Sequence, residues 1–375
     1  MAPVSPKVVV VAVIKYSSVL LLLIVLLNPA AAETLPEDMV QVMYHSYDGG
    51  GVEVNGPALL VRKEFKDQFS VNVGYYRDSI SGASPDVLAT ASPYSETRDE
   101  LSLGVDALLG NSLVSLGYIN SSEEDYDGNT FSFGISQSFF AQMTTLSLGY
   151  SVGQDTVGRV DNDFSEELDR YQFSVGLTQV LTSTMLMNLT AEGITEEGFL
   201  GNPYRSSRVF GSFAGPEVYP LTRTSTAFAV RLKKLLWSDD VASFSYRYFD
   251  DSWDIVSHTV ELGFTKTLSN RSVADLVYRY YDQSGASFFS SDFQGLFQFM
   301  ASDKELSTYQ SHTIGLNLSY ELFNDYLYGF DRGELGFAYD FRINEYEDYF
   351  APNVNSSEPY DFNANVFNIN LSLFY

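Results

Sequence analysis

The sequence predicts an all-β fold, a transmembrane antiparallel β-barrel of about 16 strands with short periplasmic turns and long acidic extracellular loops. After Glu33, apolar and polar residues alternate with period two, and no stretch shows a helical stripe or a run of about 18 apolar residues. Short and long connections also alternate along the chain. Short turns at one end and long loops at the other are typical of outer-membrane barrels.

Residues 1–32 differ from the rest and indicate a cleaved secretory signal peptide. They contain lysines and no acid, then an apolar stretch, then proline and small residues ending in alanine. The alternative is a membrane-spanning helix from Val8 to Leu27, which would place Lys15 in hydrocarbon at about 2.5–3.5 kcal/mol. The signal peptide is the preferred interpretation. Residues 33–375 would then form a single barrel domain exported to the outer membrane of a Gram-negative envelope.

Each predicted strand rests on its own alternating run of residues. In the first half the runs centre on Val40–Tyr47, Ala58–Phe65, Phe69–Tyr75, Leu101–Ala107, Leu113, Phe131–Ile135, Leu146–Val152, Tyr171–Leu177 and Met185. In the second half they centre on Phe228–Leu232, Phe244–Tyr248, Val260–Phe264, Leu276–Tyr280, Ile314–Tyr320, Leu335–Phe341 and Phe367–Tyr375.

The lengths of the connections predict which end of the barrel faces the periplasm and which faces the outside. The inner turns are expected at 66–67, 109–111, 140–142, 181–183, 233–240, 268–271 and 323–330. The outer loops are expected at 80–99, 121–129, 153–170, 193–221, 282–307 and 345–361. Of these, 193–221 and 282–307 could narrow the mouth of the barrel. Trp237 falls in an inner turn and Trp253 at an outer strand end, so the two indoles are expected at opposite membrane interfaces.

A soluble β-sandwich would show the same alternation, because its strands also bury one face. Three features favour a membrane barrel: the export signal, strands of about 9–11 residues, and aromatic residues at strand ends. Lipid is then expected to cover the apolar face of the last strand, formed by Phe367, Ile369, Leu371, Leu373 and Tyr375. A terminal aromatic on such a strand resembles the signal that the outer-membrane assembly machinery binds.

The opposite faces of the strands predict the lining of the lumen. In the first half they carry mainly glycine and serine. In the second half they carry the charges Arg223, Arg231, Arg247, Arg279, Arg342, Glu261, Asp275, Glu321, Glu334 and Asp340. These charges could select ions and small solutes in a pore. They could equally form a paired network that fills and rigidifies the interior, and both interpretations remain open.

Composition excludes several classes of function. The chain has no cysteine, so disulfides, thiolate metal sites and cysteine catalysis are excluded. Its formal charge of −26 leaves no basic surface for nucleic acid. Acidic loops could hold Ca²⁺, but their spacing matches no cation loop, so we predict neither a metal nor a cofactor; the residues concerned are Asp125, Asp127, Asp161, Asp163, Glu166 and Glu167.

An outer-membrane hydrolase is the least favoured function. The only histidines are His45, His258 and His312. Ser257 and Ser311 are adjacent in sequence to two of them, but neighbours in a strand point to opposite faces and cannot form a nucleophile–base pair. We therefore predict that the chain is not an enzyme.

One hairpin pattern occurs twice, as "YRYFDDSWDIVSHTVELGF" from Tyr246 and as "YRYYDQSGASFF" from Tyr278 with "SHTIGLNL" from Ser311. Duplication of a hairpin explains this repeat most simply. With "ISGASPD", "EEDYDG" and "GNPYR", these phrases resemble a bacterial family of outer-membrane barrels, domain of unknown function 3570. The resemblance covers nearly the whole mature chain, although Ser79 and Phe289 depart from the pattern. It implies envelope redox proteins as partners, since some members are encoded near flavin-attachment and thioredoxin-like proteins.

The predicted function is a porin-like channel that passes small solutes or ions through a polar, charged lumen. The alternative is a closed barrel that serves as a scaffold or partner for flavin-linked, redox or assembly proteins of the envelope.

Overall fold

The structure is a computed structural model, and it describes residues 34–82, 94–237, 239–352 and 358–375. The predicted signal peptide lies outside the described residues. Nine strands precede the long fourth-from-last outer loop: β1 Met39–Gly49, β2 Val52–Phe65, β3 Phe69–Gly82, β4 Tyr94–Leu109, β5 Ser112–Ser122, β6 Tyr126–Phe139, β7 Thr144–Gly158, β8 Ser165–Thr182 and β9 Met185–Gly198.

Two short strands lie within that loop, β10 Ser206–Val209 and β11 Ser212–Pro216. The strands that follow are β12 Thr222–Leu235, β13 Val241–Asp251, β14 Val256–Ser269, β15 Ser272–Gln283, β16 Tyr309–Phe323, β17 Arg332–Tyr346 and β18 Asp361–Phe374. A 3-10 turn, Lys304–Leu306, precedes β16. Among the described residues no helix is long and apolar enough to span a membrane.

Sixteen of these strands form one closed antiparallel barrel, in which neighbours in sequence are neighbours in space and β9 pairs with β12. The seam closes where β1 pairs with β18 from Met39–Phe374 to Gly49–Ala364. The predicted fold class and strand count are therefore confirmed. The strands are longer than expected, at 11 to 18 residues, because their outer ends continue to pair beyond the apolar band.

The outward surface of the barrel is apolar. Leu276 on β15 pairs with Phe264 on β14 and Leu316 on β16, and all three side chains are exposed. No second protein layer covers this face in the described part of the chain. A band of exposed apolar side chains around a barrel without free edges is the surface that hydrocarbon solvates.

The short turns follow the predicted positions and use left-handed backbone. Lys66 and Asp67 both have positive φ angles, 57° and 53°, as a two-residue hairpin turn requires. Gly50 and Gly51 make the corresponding outer turn between β1 and β2, with φ angles of 61° and 79°. Glycine adopts these left-handed angles without the steric cost that a Cβ atom would add, so this connection is a tight turn.

Two long outer loops, 199–221 and 284–308, fold together, and we call them the cap. Val218 and Met300 exchange backbone hydrogen bonds of 2.9 Å in an isolated antiparallel bridge. The amide of Phe210 donates to the carbonyl of Phe293 over 3.0 Å. The cap is therefore one ordered unit above the barrel, with its own hairpin formed by β10 and β11.

Candidate functional site

The inner wall formed by β3 to β8 is lined mainly by glycine and serine in its middle part, as predicted. A Cβ atom on Gly149 would lie 2.5 Å from the hydroxyl oxygen of Ser174 on the next strand. Gly117 and Ser132 are related in the same way, also at 2.5 Å. Residues without large side chains leave the lumen open on this side.

The facing wall, formed by β14 to β17, carries charge. Arg342, Thr313, Arg279 and Glu261 occupy successive positions of one register row. The Arg279 guanidinium lies 2.6 Å from the Glu261 carboxylate, yet 53 % of the arginine side chain is exposed. An inward-pointing arginine can be exposed only if the space in front of it is large enough for water.

All ten predicted lumen charges occupy the inward phase of their strands, opposite to the exposed apolar side chains. Arg279 and Glu261 are the one pair among these ten that the described residues bring into direct contact. Glu321 and Glu334 face each other in register at the inner end of the barrel. Arg332, at the start of β17, places its Nε atom 3.2 Å from the Glu334 carboxylate on the same strand.

Two predicted arginines pair with acids that the sequence analysis missed. Arg247 lies 3.5 Å from Glu192 across the intervening strand, and Arg223 lies 2.6 Å from Asp251, whose side chain is fully buried. Continuing the alternation along β9 would have placed Glu192 inward. The charged wall is therefore partly a paired network and partly a water-exposed surface, so it combines both predicted interpretations.

The expectation that the first half carries little charge is wrong near the outer end of the barrel. Arg170 on β8 lies 2.8 Å from Asp155 on β7, which is fully buried. His45 on β1 contacts Asp78 on β3 through its Nε2 atom over 2.7 Å, and its ring stacks on Tyr76 at 4.5 Å. These charges follow from extending β3, β7 and β8 beyond their apolar runs.

The duplicated hairpins give one geometry twice on the outward face. The Tyr246 hydroxyl lies 2.8 Å from Nδ1 of His258, and the Tyr278 hydroxyl lies 2.9 Å from Nδ1 of His312. In both pairs the ring centroids are 6.1 Å apart. Each tyrosine gives a hydrogen-bond partner to an imidazole near the outer rim, which explains how two histidines are accommodated on this face.

Adjacent serines and histidines lie on opposite faces. Ser257 and Ser311 are buried on the inward side, each with 3 % exposure, whereas His258 and His312 point outward. The expected separation of nucleophile and base is thus the observed one. That the chain is not an enzyme stays a prediction.

Trp253 lies inside the cap, and its predicted place at the membrane interface is wrong. It is 4 % exposed and packs edge-on against Tyr219 and Phe288, with ring centroids 5.6 and 5.1 Å away. Its indole N–H donates to the carbonyl of Thr222 over 3.1 Å, and the Arg223 guanidinium lies 4.5 Å from its ring. Trp237, in contrast, is 78 % exposed in its inner turn.

The cap is attached to side chains that point into the barrel. Gln283, at the inward phase of β15, donates to the carbonyls of Glu305 and Ser307 over 3.0 and 2.8 Å. Phe289, in the second cap loop, packs against the buried cluster that Tyr346, on the inward face of β17, forms with Tyr349. The cap is therefore fixed to inward-pointing residues at the outer ends of β15 and β17.

Glu217 connects the two loops of the cap. Its carboxylate accepts hydrogen bonds from the amide of Ser302 over 2.7 Å and from the Tyr219 hydroxyl over 3.0 Å. Nearby, the Arg205 guanidinium lies 3.0 Å from the Asp303 carboxylate. Burial, reinforced by the negative charge of Asp303, raises the pKa of Glu217 to about 7.

We expect the cap to become more stable as the pH falls. A buried carboxyl with a pKa of about 7 is destabilising when ionised, because an exposed glutamate titrates near pH 4.3. The closed cap should therefore gain protection from hydrogen exchange as the pH is lowered from 8 through 7 towards 5. Glu217→Gln imitates the protonated group and should show high protection at both ends of this range. Equal protection of the wild-type cap at pH 8 and pH 5.5 would contradict the assignment.

Acidic side chains also gather at the outer ends of β4 and β5. Carboxylate oxygens of Glu96, Glu123 and Asp125 lie within 4.8 Å of one another. The Tyr204 hydroxyl donates to Asp125, and Arg98 lies 3.9 Å from Glu123. Neighbouring donors thus balance part of this negative charge, and the absence of a bound metal stays a prediction.

The last strand presents its apolar phase outward beside β17. Phe367 contacts Phe337 with ring centroids 5.4 Å apart, and Ile369 pairs with Phe337 in register. The hydroxyl of Tyr375 donates to the carbonyl of Arg62 over 2.9 Å, and Lys63 lies 4.6 Å from its ring. Tyr375 therefore joins the end of β18 to β2 and stabilises the place where β1 and β18 close the barrel.

A closed barrel of 16 strands with an apolar outer band, a polar lumen and long loops at one end is an outer-membrane β-barrel. Within this class, the family described as "Protein of unknown function (DUF3570)" matches residues 25–339, and the chain belongs to that family. The predicted family is thus confirmed.

Solved barrels show similarity at low sequence identity. The siderophore receptor PirA from Pseudomonas aeruginosa is 10 % identical, with 93 % of this chain and 85 % of that chain covered and a TM-score of 0.47. OccK2 from the same organism, solved with glucuronate, is 9 % identical over 91 % and 99 % of the two chains, with a TM-score of 0.46. OmpT from Vibrio cholerae is 11 % identical over 92 % and 100 %, with a TM-score of 0.44. No curated protein matches the chain.

Proposed function

We propose that the barrel is a porin-like channel for small polar solutes or ions, with access controlled by the cap. The observation that supports this proposal most directly is the exposure of Arg279, which points into the lumen and still leaves 53 % of its side chain accessible. Barrels of 16 to 18 strands are wide enough to enclose an aqueous channel. A lumen filled by side chains would have covered this guanidinium.

The two walls of the lumen contribute differently to conduction. The glycine and serine wall leaves the cross-section free, while the arginines and acids of the facing wall set the local field. Because Arg279 is paired with Glu261, removing either one leaves the other charge unbalanced in water. Selectivity should then shift in opposite directions in the two variants.

Purified protein in a planar bilayer should show single-channel steps. Arg279→Ala is expected to raise cation over anion permeability about two- to fivefold, the ratio that corresponds to roughly 0.5–1 kcal/mol for one unit charge in a water-like medium. Glu261→Gln should shift the reversal potential the other way, and Arg247→Ala should resemble Arg279→Ala.

The matched control is Arg77→Ala. Arg77 lies on the outward phase of β3, 3.6 Å from Asp99, and is 54 % exposed. The Arg77→Ala variant removes the same charge from the outward surface, so the ratio of cation to anion permeability should stay at the wild-type value. If Arg279→Ala and Arg77→Ala have the same effect, the lumen charges do not line the path of the ions.

A closed barrel that acts as a scaffold for envelope redox or assembly proteins is the second candidate. The burial of the cap favours it, since Ala301 is fully buried and Trp253 nearly so. Conductance distinguishes the two functions. If neither the wild type nor a variant with a loosened cap conducts ions, the scaffold is the better interpretation.

A further inference from the structure

The outer end of the molecule holds a polar cavity of about 420 Å³, formed by loop residues beyond the barrel strands and by one strand of the cap. Three segments form it: the β10 strand of the cap, the second cap loop and the loop after β17. Its lining residues are Arg208, Ser290, Ser291, Asp292, Asp348, Phe350 and Ala351. A volume of this size is at the lower end of the range for small-molecule sites.

Arg208 is held by its backbone and keeps its side chain available. Its amide donates to the Ser302 hydroxyl over 3.1 Å, and its carbonyl accepts from the amide of Phe293 over 2.8 Å. Within the described part of the chain its guanidinium makes no ion pair and no hydrogen bond. No other described residue therefore occupies its five N–H donors, which form a fixed fork at the cavity.

Two carboxylates lie on the same cavity and are fixed by backbone amides. Asp348 accepts from the amide of Thr308 over 2.8 Å, and Asp292 accepts from the amide of Gly211 over 2.8 Å. Each bond uses one carboxylate oxygen and orients the group. The cavity thus combines rigid acceptors with the donors of the guanidinium, and two carboxylates against one guanidinium disfavour an anionic ligand.

Phe350 adds an apolar face and is positioned by the neighbouring loop. The Ser291 hydroxyl accepts from the amide of Phe350 over 2.9 Å, and donates to its carbonyl over 3.3 Å. The phenyl side chain remains 37 % exposed at the cavity. A flat ring beside oriented donors and acceptors is complementary to a ligand with one C–H face and a rim of hydroxyl groups.

We propose that this cavity binds a neutral carbohydrate at the outer surface of the cell. Sugar hydroxyls would donate to Asp292 and Asp348 and accept from Arg208, while one face of the ring packs on Phe350. An amino acid zwitterion and inorganic phosphate are the competing ligands. The proposal is independent of conduction, because none of these residues is among the ten charges that line the barrel wall.

Titration calorimetry on the full chain in detergent tests the proposal. The probes are glucose, galactose, mannose and N-acetylglucosamine with their di- and trisaccharides, followed by glycine and inorganic phosphate. At least one saccharide should bind. Arg208→Ala should weaken that binding about tenfold or more, and Phe350→Ala by a similar factor, through loss of a charged donor and of the stacking face.

Phe213→Ala is the matched control, since Phe213 is an exposed cap aromatic that does not line the cavity. It should bind the saccharide with wild-type affinity. Native migration on unheated gels verifies that each variant is folded. The proposal is overturned if no saccharide binds, if Arg208→Ala and Phe350→Ala bind as tightly as Phe213→Ala, or if only glycine or phosphate binds.

Discussion

Trp253→Ala should loosen the cap by about 3–5 kcal/mol, the usual effect of removing a large buried aromatic side chain. The indole lies at the centre of the cap core, between Tyr219 and Phe288, and is 4 % exposed. Its loss removes ring contacts with both loops and a hydrogen bond to Thr222. In a planar bilayer we expect longer or larger openings than in the wild type. Hydrogen exchange should show faster exchange in 199–221 and 284–308 while the barrel strands stay protected.

Trp237→Ala is the control for this experiment. Trp237 is 78 % exposed in an inner turn, so its removal should leave both conductance and cap exchange at wild-type values. The chain has only these two tryptophans. Each variant therefore leaves a single indole whose fluorescence reports one end of the molecule. The indole that remains in Trp237→Ala should resist quenching by acrylamide, and quenching as easy as in Trp253→Ala would contradict the buried position.

The barrel could be predicted from the sequence because its determinants are local. Alternation in β15, for example, places Leu276 and Tyr278 on one face and Asp275 and Arg279 on the other without reference to any other strand. The same rule placed all ten predicted charges inward. Local periodicity also predicts the strand count, since the short turns at the inner end mark where one strand ends and the next begins.

The cap could not be predicted in this way, because its contacts join residues distant in sequence. Val218 pairs with Met300, and Ser302 binds Glu217, across four barrel strands of intervening chain. No periodic pattern marks such a contact. The sequence shows only that Trp253 lies at a strand end, where an indole is often interfacial, and not that distant loops bury it.

Charge pairing inside the lumen could be predicted only in part: the inward direction of a charge is predictable from the sequence, but its partner is not. The inward phase of Arg247 follows from the alternation, but its partner Glu192 is two strands away. That pairing depends on the small side chains of the strand between them, such as Ala227 and Ala229. Whether an inward charge is paired or exposed is thus decided by register, which determines how charges on different strands line up.

Leu276→Arg should destabilise the barrel in lipid by about 2–4 kcal/mol, the range for a cation near the bilayer midplane on the lipid face. Leu276 is an exposed outward residue between Phe264 and Leu316 on the neighbouring strands. A guanidinium at this position would have to leave water for hydrocarbon. Urea unfolding of the protein refolded into phospholipid vesicles measures the change in free energy of unfolding.

Val277→Arg, one residue further along, makes the same substitution on the opposite face. Val277 points inward and has Gly263 and Gly315 as its register partners, which leaves room for the longer side chain beside water. It should change stability by less than about 1 kcal/mol, as is usual for a charge at a solvated position. The difference between the two arginine variants measures whether hydrocarbon or water lies on each face. Equal losses, or a larger loss for Val277→Arg, would mean that the inward and outward faces have been assigned the wrong way round.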